Sequence, residues 1–156
     1  MDADTPALRA LEGSDLSFEV VRTERARSVE ESASFQGIEV GSLLKTIVVR
    51  RAEDDYLFVL VPGDRAVDWP KLRAHLGVSR ISLPDADEAR AVTGYERGAI
   101  TPFGAERSWS VLADATIPGK GSVAIGGGGH GVNLHVDADA LLGALGAETA
   151  DVTKGR

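Results

Sequence analysis

The feature that most constrains this chain is an apolar segment, residues 43–49, that contains a single lysine, Lys45. Under the two-residue period of a β-strand, Lys45 shares one face with Ile47 and Val49, and the opposite face is also largely apolar. Burying a lysine in such a strand is unfavourable. Lys45 therefore either lies near a strand end, with its ammonium group reaching water, or is retained for a task.

A loop rich in glycine follows this strand and contains Gly94, Gly98, Pro102 and Gly104. Glycine leaves backbone N–H groups open to a ligand, and proline fixes the loop so that they stay aimed. The Gly98-x-x-x-Pro102 pattern also occurs in ordinary turns between a helix and a strand. With the cation of Lys45, this loop suggests a small pocket for an anionic or ester-bearing substrate.

A second glycine-rich loop is formed by the four consecutive glycines 126–129, which His130 follows. Ordering each glycine costs roughly 0.5–1 kcal/mol relative to alanine. The run therefore indicates a loop that passes close to a ligand or to another backbone segment, or else a flexible hairpin turn. It is not a P-loop, because no Gly-Lys-Ser/Thr follows. His130 is a candidate pocket residue that shapes substrate selection or orients water.

Helix and strand signals alternate along the chain without a strict βαβ rhythm. Helices are expected to begin after the capping residues Thr5, Ser28, Asp68, Asp85 and Asp137. Strands are expected at residues 16–21, 43–49, 56–61, 109–112, 122–125 and 132–136. This pattern predicts a single α+β domain over residues 1–156 with a mixed or antiparallel sheet. The polar tail, residues 148–156, is expected to be flexible.

The net charge of −7, from 17 Lys and Arg against 24 Asp and Glu, argues against an extensive nucleic-acid surface. Any nucleic-acid ligand is therefore expected to be held at one end alone, with a partner supplying further contacts. Local arginine groups are interpreted as solvated surface; they occur at Arg22, Arg25 and Arg27, at Arg50 and Arg51, and at Arg97 and Arg107.

The composition also excludes several kinds of site. The chain has no cysteine, so disulfides, thiolate metal sites and cysteine nucleophiles are absent. No apolar run approaches the roughly 20 residues that cross a bilayer. The acidic start at residues 1–4 lacks the features of a signal peptide. A cytoplasmic location is expected by elimination.

Metal and serine chemistry are both disfavoured. His130, His135 and Asp137 match no standard zinc spacing, and Asp137 serves better as a helix N-cap. No serine stands in a Gly-x-Ser-x-Gly elbow. We therefore expect no metal and no cofactor. Direct hydrolysis remains, in which Lys45 and loop amides hold the substrate while weak bases, or the substrate's own groups, activate water.

Three motifs carry a resemblance to a known family: Lys45 in its strand, the segment 98–102 and the run 126–130. They occur in the order found in the YbaK/ProX group of aminoacyl-tRNA deacylases, which the chain resembles over most of its length. That group includes the editing domain of bacterial prolyl-tRNA synthetases and its free-standing relatives. The resemblance implies a compact, mostly antiparallel sheet flanked by helices. It further implies trans-editing hydrolysis of mischarged aminoacyl-tRNA, with a small amino acid on tRNA(Pro) as the expected substrate.

The resemblance also implies the roles of individual residues. Lys45, Gly98 and Pro102 would be catalytic, with Lys45 near the terminal adenosine or the carbonyl group. The substrate-binding residues would be Thr46, Ile100, Thr101, Gly128 and His130. The expected partners are the acceptor end of an aminoacyl-tRNA and, as a candidate, prolyl-tRNA synthetase; neither DNA nor a membrane is expected.

Two other functions remain open. A non-catalytic module that binds an aminoacylated end or a synthetase would fit the acidic charge balance and the lack of an evident general base. A hydrolase for an unrelated small ester or amide would use the same pocket without a tRNA. The sequence does not identify the amino acid removed, the tRNA or the oligomeric state.

Overall fold

The computed structural model describes residues 4–156; Met1, Asp2 and Ala3, which bear on the signal-peptide interpretation, lie outside the described residues. The helices are α1 (Pro6–Leu11), α2 (Val29–Gln36), α3 (Trp69–Leu76), α4 (Ala86–Thr93) and α5 (Ala138–Leu145), with a short 3₁₀ helix at Val40–Ser42. The strands are β1 (Phe18–Arg22), β2 (Leu44–Ala52), β3 (Asp55–Pro62), β4 (Arg65–Val67), β5 (Ser110–Asp114), β6 (Ser122–Gly126), β7 (Val132–Asp137), β8 (Glu148–Ala150) and β9 (Thr153–Gly155).

The five α-helices begin where the sequence predicts, because each has a polar N-cap. Thr5, Ser28, Asp68, Asp85 and Asp137 each accept a hydrogen bond from the backbone N–H three residues further on. Each bond satisfies one of the N–H groups that a helix start leaves without an intrahelical partner.

Glu31 and Glu88 stand three residues after the N-caps Ser28 and Asp85, which is the position of the glutamate in a capping box, but each accepts its hydrogen bond from another group. Glu31 Oε1 accepts a hydrogen bond from the backbone N–H of Arg27 at 2.8 Å, one residue before the N-cap. Glu88 accepts a hydrogen bond from the hydroxyl group of Tyr56, and its Oε2 lies 3.6 Å from Arg50 Nε. Glu88 therefore ties α4 to the sheet.

The strands form three sheets within one α+β domain. One sheet has the order β1-β7-β6 and is antiparallel throughout. The second has the order β2-β3-β5-β8, in which β2 pairs antiparallel with β3 while β3–β5 and β5–β8 are parallel. The third consists of β4 and β9, paired antiparallel. An isolated parallel bridge between Leu43 and Ala124 joins the first sheet to the second.

Strand β3 is buried on both faces and separates two apolar clusters. Tyr56, Phe58 and Leu60 belong to the larger cluster, which reaches α1, α5 and the β1-β7-β6 sheet. Leu57, Val59 and Val61 belong to the smaller cluster, which includes α3 and Val152. Residues of β2 divide in the same way, as the two-residue period predicts, so Lys45 lies on the face of the smaller cluster.

The C-terminal segment differs from the expectation of a flexible tail. Residues 148–150 form β8 at the edge of the second sheet, and residues 153–155 form β9 against β4. Val152 and Thr153 are fully buried. The sequence does not indicate these two strands, because each is only three residues long, is mostly polar and forms only by pairing with a distant segment.

Asp114, at the end of β5, anchors this segment from within the core. Its carboxylate accepts hydrogen bonds from the N–H of Thr116 at 3.1 Å, from the hydroxyl of Thr116 at 2.5 Å and from the N–H of Val152 at 3.2 Å. Burial would raise the pKa of Asp114, but these hydrogen bonds and one from Thr153 outweigh it, so its pKa is lowered. The ionised carboxylate is therefore the form that suits the fold.

We expect Asp114→Asn to lower the free energy of unfolding by about 1–3 kcal/mol at pH 7, because an amide NH₂ would face N–H and O–H donors. The folded-state pKa lies below the ordinary value of 3.8, so the contribution of the carboxylate is present above that value and is lost as the pH falls through the folded-state pKa. Urea unfolding of both proteins should show a difference at pH 7 that narrows in acid. Equal stability at pH 7 would contradict this account.

Candidate functional site

A cavity of about 340 Å³ lies where the first and second sheets meet, next to the Leu43–Ala124 bridge. Its walls come from the start of β2, the end of β6, the start of β7, residues 98–100 and the segment that leads into α2. Leu44, Ala124, Ile125 and Val132 give it an apolar floor. The cavity therefore joins segments that lie far apart in the sequence.

Lys45 contributes the ammonium group that the sequence analysis singled out. It is half-buried, and its Nζ donates a hydrogen bond to the backbone carbonyl of Arg65 at 2.8 Å. Desolvation lowers the pKa of Lys45, as does the nearby charge of Arg156, while Glu30 and Asp64 oppose the shift. Since an ammonium has three N–H donors, Lys45 can bind a substrate oxygen without giving up this anchor.

The loop that contains Gly98 approaches the cavity through its backbone. Gly98 has a φ of +90°, and a Cβ atom there would lie 3.3 Å from His130 Cε1. A side chain at this position would be strained and would press on the imidazole ring. Gly98, Ala99 and Ile100 line the cavity, so their peptide groups can contact a bound molecule.

Thr101 and Pro102 lie behind this loop and do not line the cavity. Thr101 is fully buried, and its hydroxyl has no hydrogen-bond partner within residues 4–156. Pro102 is half-buried, and the carbonyl of the next residue, Phe103, accepts a hydrogen bond from the hydroxyl of Tyr95 at 2.5 Å. The hydrogen bond to Phe103 therefore holds the end of this loop against Tyr95.

The glycine run divides between two environments. Gly126 and Gly129 line the cavity, whereas Gly128 faces α1 and Tyr95. Gly128 has a φ of +92°, and a Cβ atom there would lie 2.9 Å from Tyr95 Cε1. The carbonyl of Gly127 accepts a hydrogen bond from the hydroxyl of Thr5 at 2.6 Å. This loop is therefore held against the first helix.

His130 and Thr46 add polar groups to the cavity wall. His130 has 26% of its side chain exposed, and its Nε2 lies 3.4 Å from Oε2 of Glu96, which is 62% exposed. The hydroxyl of Thr46 is buried and, among the described residues, has no hydrogen-bond partner. Both residues line the cavity and can contact a bound molecule.

The structure thus brings together five of the eight predicted site residues and places three outside the cavity. Lys45, Thr46, Gly98, Ile100 and His130 line it; Thr101, Pro102 and Gly128 do not. Sequence reasoning missed Arg25, Arg27, Ser28, Ser32 and Asn133, which also line it. Arg25 and Arg27 are exposed, as the interpretation of a solvated surface predicts, and Arg27 Nε lies 3.8 Å from Glu31 Oε1. What the sequence does not indicate is that both also line the cavity.

Residues 4–156 lack both a metal-binding cluster and a membrane-spanning helix. No group of three or more His, Cys, Asp or Glu side chains in that range could hold a metal ion. His135 is instead paired with Gln36, with 2.8 Å between Nε2 and Oε1. None of the helices in the described part of the chain is long and apolar enough to span a bilayer.

A family model for the aminoacyl-tRNA editing domain matches residues 23–144. A proline–tRNA ligase of Thermosipho africanus is 30% identical over 126 residues, which are 79% of this chain and 22% of the ligase. The chain therefore spans about a fifth of that relative. EbsC of Enterococcus faecalis, whose name describes a candidate Cys-tRNA(Pro)/Cys-tRNA(Cys) deacylase, is 24% identical over 136 residues, 87% of this chain and 83% of EbsC.

Solved structures share the fold. The crystal structure of a candidate trans-editing enzyme for prolyl tRNA synthetase has a TM-score of 0.83 and 27% identity, covering 96% of this chain and 93% of that one. The hypothetical protein APE2540 has a TM-score of 0.87 and 23% identity, covering 96% and 99%. The predicted α+β fold is confirmed by these similarities.

We expect Gly128→Ala to destabilise the protein more than Gly119→Ala does, by on the order of 1–3 kcal/mol. Both glycines have a positive φ, of +92° and +80°, so backbone strain affects both variants. Only at Gly128 would the new methyl group collide with Tyr95, since nothing lies within 4 Å of a Cβ at Gly119. Urea unfolding measures the difference. Equal losses would show that the Tyr95 contact does not limit this position.

Proposed function

Since the chain belongs to the aminoacyl-tRNA editing domain family, we propose that it hydrolyses the ester bond of mischarged aminoacyl-tRNA in trans, acting on a small amino acid attached to tRNA(Pro). The observation that carries this proposal is the cavity that Lys45 and residues 98–100 line together. The names of EbsC and of the candidate trans-editing enzyme support the same reaction.

The proposal of a small amino acid rests on the logic of a second sieve. A synthetase pocket rejects smaller side chains poorly, and a second site that admits only small residues can remove the resulting errors. The cavity of about 340 Å³ would hold the amino acid and part of the terminal ribose over the apolar floor. Ile100 and His130 line it and would act in this selection.

The proposed reaction is direct attack by water. Lys45 holds the carbonyl oxygen or the terminal adenosine by its charge, and the amides of Gly98 and Ile100 stabilise the oxygen as it becomes negative. The N–H of Ala99 already donates to the carbonyl of Glu96. Water adds to the carbonyl carbon, the bond to the ribose oxygen breaks, and that oxygen takes up a proton as it leaves. Thr46 contacts the substrate through its hydroxyl. Thr101, Pro102 and Gly128 support these groups from behind the wall.

The acceptor end of tRNA is the proposed partner despite the net charge of −7. Arg25 and Arg27 lie at the cavity. A separate depression is lined by four further arginines, Arg50, Arg51, Arg73 and Arg80. Arg50 pairs with Glu88 and Arg51 with Asp55, and Glu53 also lines the depression. Arg73 and Arg80 are the arginines that we propose contact phosphates. The reaction would take place in the cytoplasm, with prolyl-tRNA synthetase as a candidate partner.

We expect Lys45→Ala to lower kcat/KM for deacylation by about 10²–10³-fold, because the group that holds the reacting ester is lost. Wild type and variant would be compared on tRNAs carrying alanine, cysteine, serine, threonine or proline. Lys120→Ala, which removes an exposed lysine outside the cavity, is the matched control.

The outcomes separate the candidate functions. Loss of one or two amino acids, abolished only in Lys45→Ala, supports editing and identifies its substrate. Tight binding of the charged tRNAs with no faster loss of any amino acid would contradict the proposal and favour a binding module. A rate unaffected by removal of the tRNA body would indicate a hydrolase for another small ester.

We expect Arg80→Gln to weaken tRNA binding and to reduce the slope of log affinity against log salt by about one, as loss of one phosphate contact does. Filter binding of uncharged tRNA between about 50 and 200 mM salt would measure it. Lys120→Gln removes one charge from a residue outside both the cavity and the arginine depression. An unchanged slope in Arg80→Gln would exclude this depression as a phosphate contact.

A further inference from the structure

The anchor of the Lys45 ammonium is a strand that has a single partner. Lys45 Nζ binds the carbonyl of Arg65, the first residue of β4. Strand β4 has three residues, and its ladder is formed with β9, where Arg65 pairs with Gly155 and Val67 with Thr153. The position of the Arg65 carbonyl therefore depends on how firmly β9 is held.

The side chain of Arg65 fastens β4 to β9 a second time. Its Nε donates to the hydroxyl of Thr153 at 2.6 Å, and its Nη2 donates to the carbonyl of Thr153 at 3.3 Å. Arg65 Nε also lies 3.9 Å from Oδ2 of Asp114. Thr153 is 0% and Asp114 is 1% exposed, whereas the Arg65 side chain is 30% exposed, so each contact joins a half-buried guanidinium group to a fully buried partner. A hydrogen bond with a buried partner is electrostatically stronger than one between two groups in water.

Thr153 connects this contact to the core. Its hydroxyl accepts from Arg65 and in turn hydrogen-bonds Asp114, which also receives the N–H of Val152. A continuous path thus runs from the end of β5, through Asp114, Thr153 and Arg65, to the ammonium of Lys45. Each member is a polar group with a defined partner.

The C-terminal segment 153–156 also acts on Lys45 through the charge of Arg156. Arg156 forms an ion pair with Glu30 on α2, the helix whose Val29 and Ser32 line the cavity. The charges of Arg156, Glu30 and Asp64 all act on Lys45, together with its desolvation. Residues 153–156 lie beyond the range 23–144 that the family model matches.

We propose that Thr153 is a positioning residue for Lys45, which it holds in place through the Arg65 side chain and the β4 carbonyl. The segment 153–156 is then a working part of the site. The inference rests on the proposed role of Lys45 in deacylation, but its structural half can be tested without tRNA.

The test compares three variants. Thr153→Val removes the hydroxyl at nearly constant volume, and Thr153→Ser keeps the hydroxyl while removing a methyl group. Thr149→Val makes the same chemical change at an exposed position of β8, and is the matched control. Arg65→Met breaks the same contact from its other partner, since it removes the guanidinium group but leaves the backbone carbonyl. The Arg65 side chain is 30% exposed, so the fold should tolerate the substitution.

The first readout is the titration of Lys45 by NMR of protein labelled at lysine Cε, with Lys120 as the reference. Loosening the anchor lets water reach the ammonium and moves Arg156 away, so the pKa of Lys45 should rise toward its ordinary value of 10.5 in Thr153→Val and in Arg65→Met. Thr153→Ser and Thr149→Val should titrate like the wild type. A defect of stability alone would leave this titration unchanged in the folded protein.

The second readout is deacylation. We expect kcat/KM to fall by about 10–100-fold in Thr153→Val and Arg65→Met, because small misplacements of a catalytic group cause losses of this size. Thr153→Ser should stay within about twofold of wild type, since it keeps the hydroxyl. Unchanged titration and unchanged kcat/KM in both Thr153→Val and Arg65→Met would overturn the inference while leaving Lys45 itself intact.

The two proposals fail in different ways. Full activity in folded Lys45→Ala would overturn the proposed function, whatever Thr153 does. Even then, a raised pKa of Lys45 in Thr153→Val would show that Thr153 holds the Lys45 ammonium in place. If Thr153→Val does not fold, Arg65→Met decides the matter by the same two measurements.

Discussion

The burial of β3 on both faces is the constraint on which the rest of the structure depends. Seven of the eight residues of Asp55–Pro62 are buried, and six of them alternate between two apolar clusters. Such a strand must have hydrogen-bonded neighbours on both edges and apolar cover on both faces. Strands β2 and β5 supply the edges. One face is covered by α1, α5 and the antiparallel sheet, and the other by α3 and residues near Val152.

The candidate site follows from this arrangement. Strand β2 lies next to β3, and its beginning projects to the seam where the second sheet meets the first at Leu43 and Ala124. Lys45 stands at this seam, on the face of the smaller cluster, and its Nζ donates to the carbonyl of Arg65 in the three-residue strand β4. This hydrogen bond stabilises a half-buried ammonium group beside a well-packed core. The site is thus a consequence of how the central strand is enclosed.

Much of the fold could be predicted from local signals. N-cap residues such as Asp85 mark where helices begin, and the alternation in residues 43–49 assigns Lys45 to the correct face of β2. Strands β4 and β9 could not be predicted, because three residues such as Arg65–Val67 carry no periodic pattern and become a strand only by pairing with a segment 88 residues away.

Less of the candidate site could be predicted, because much of it is formed by loops. A strand has a period that assigns each residue to a face, whereas a loop has none, so nothing in residues 98–102 indicates that Gly98 borders the cavity while Pro102 stands behind it. The same limit applies to Gly128, which packs on Tyr95. Arg25 and Arg27 have the composition of a solvated surface, and only the tertiary fold shows that they border the cavity.

The β4–β9 ladder has a consequence for the order in which the molecule folds. The β2–β3 hairpin joins neighbouring residues and closes a short loop, whereas Arg65 and Thr153 close a loop of 88 residues. Loop closure becomes less favourable as the loop lengthens, and contacts distant in sequence form slowly. We expect the hairpin to form early and β9 to dock late. A folding intermediate would then contain the β2–β3 hairpin while Lys45 still lacked its carbonyl anchor. The cavity walls would also be incomplete at that stage, because β1 and β7 pair over an even longer loop, so the recovery of activity would lag behind the formation of the hairpin.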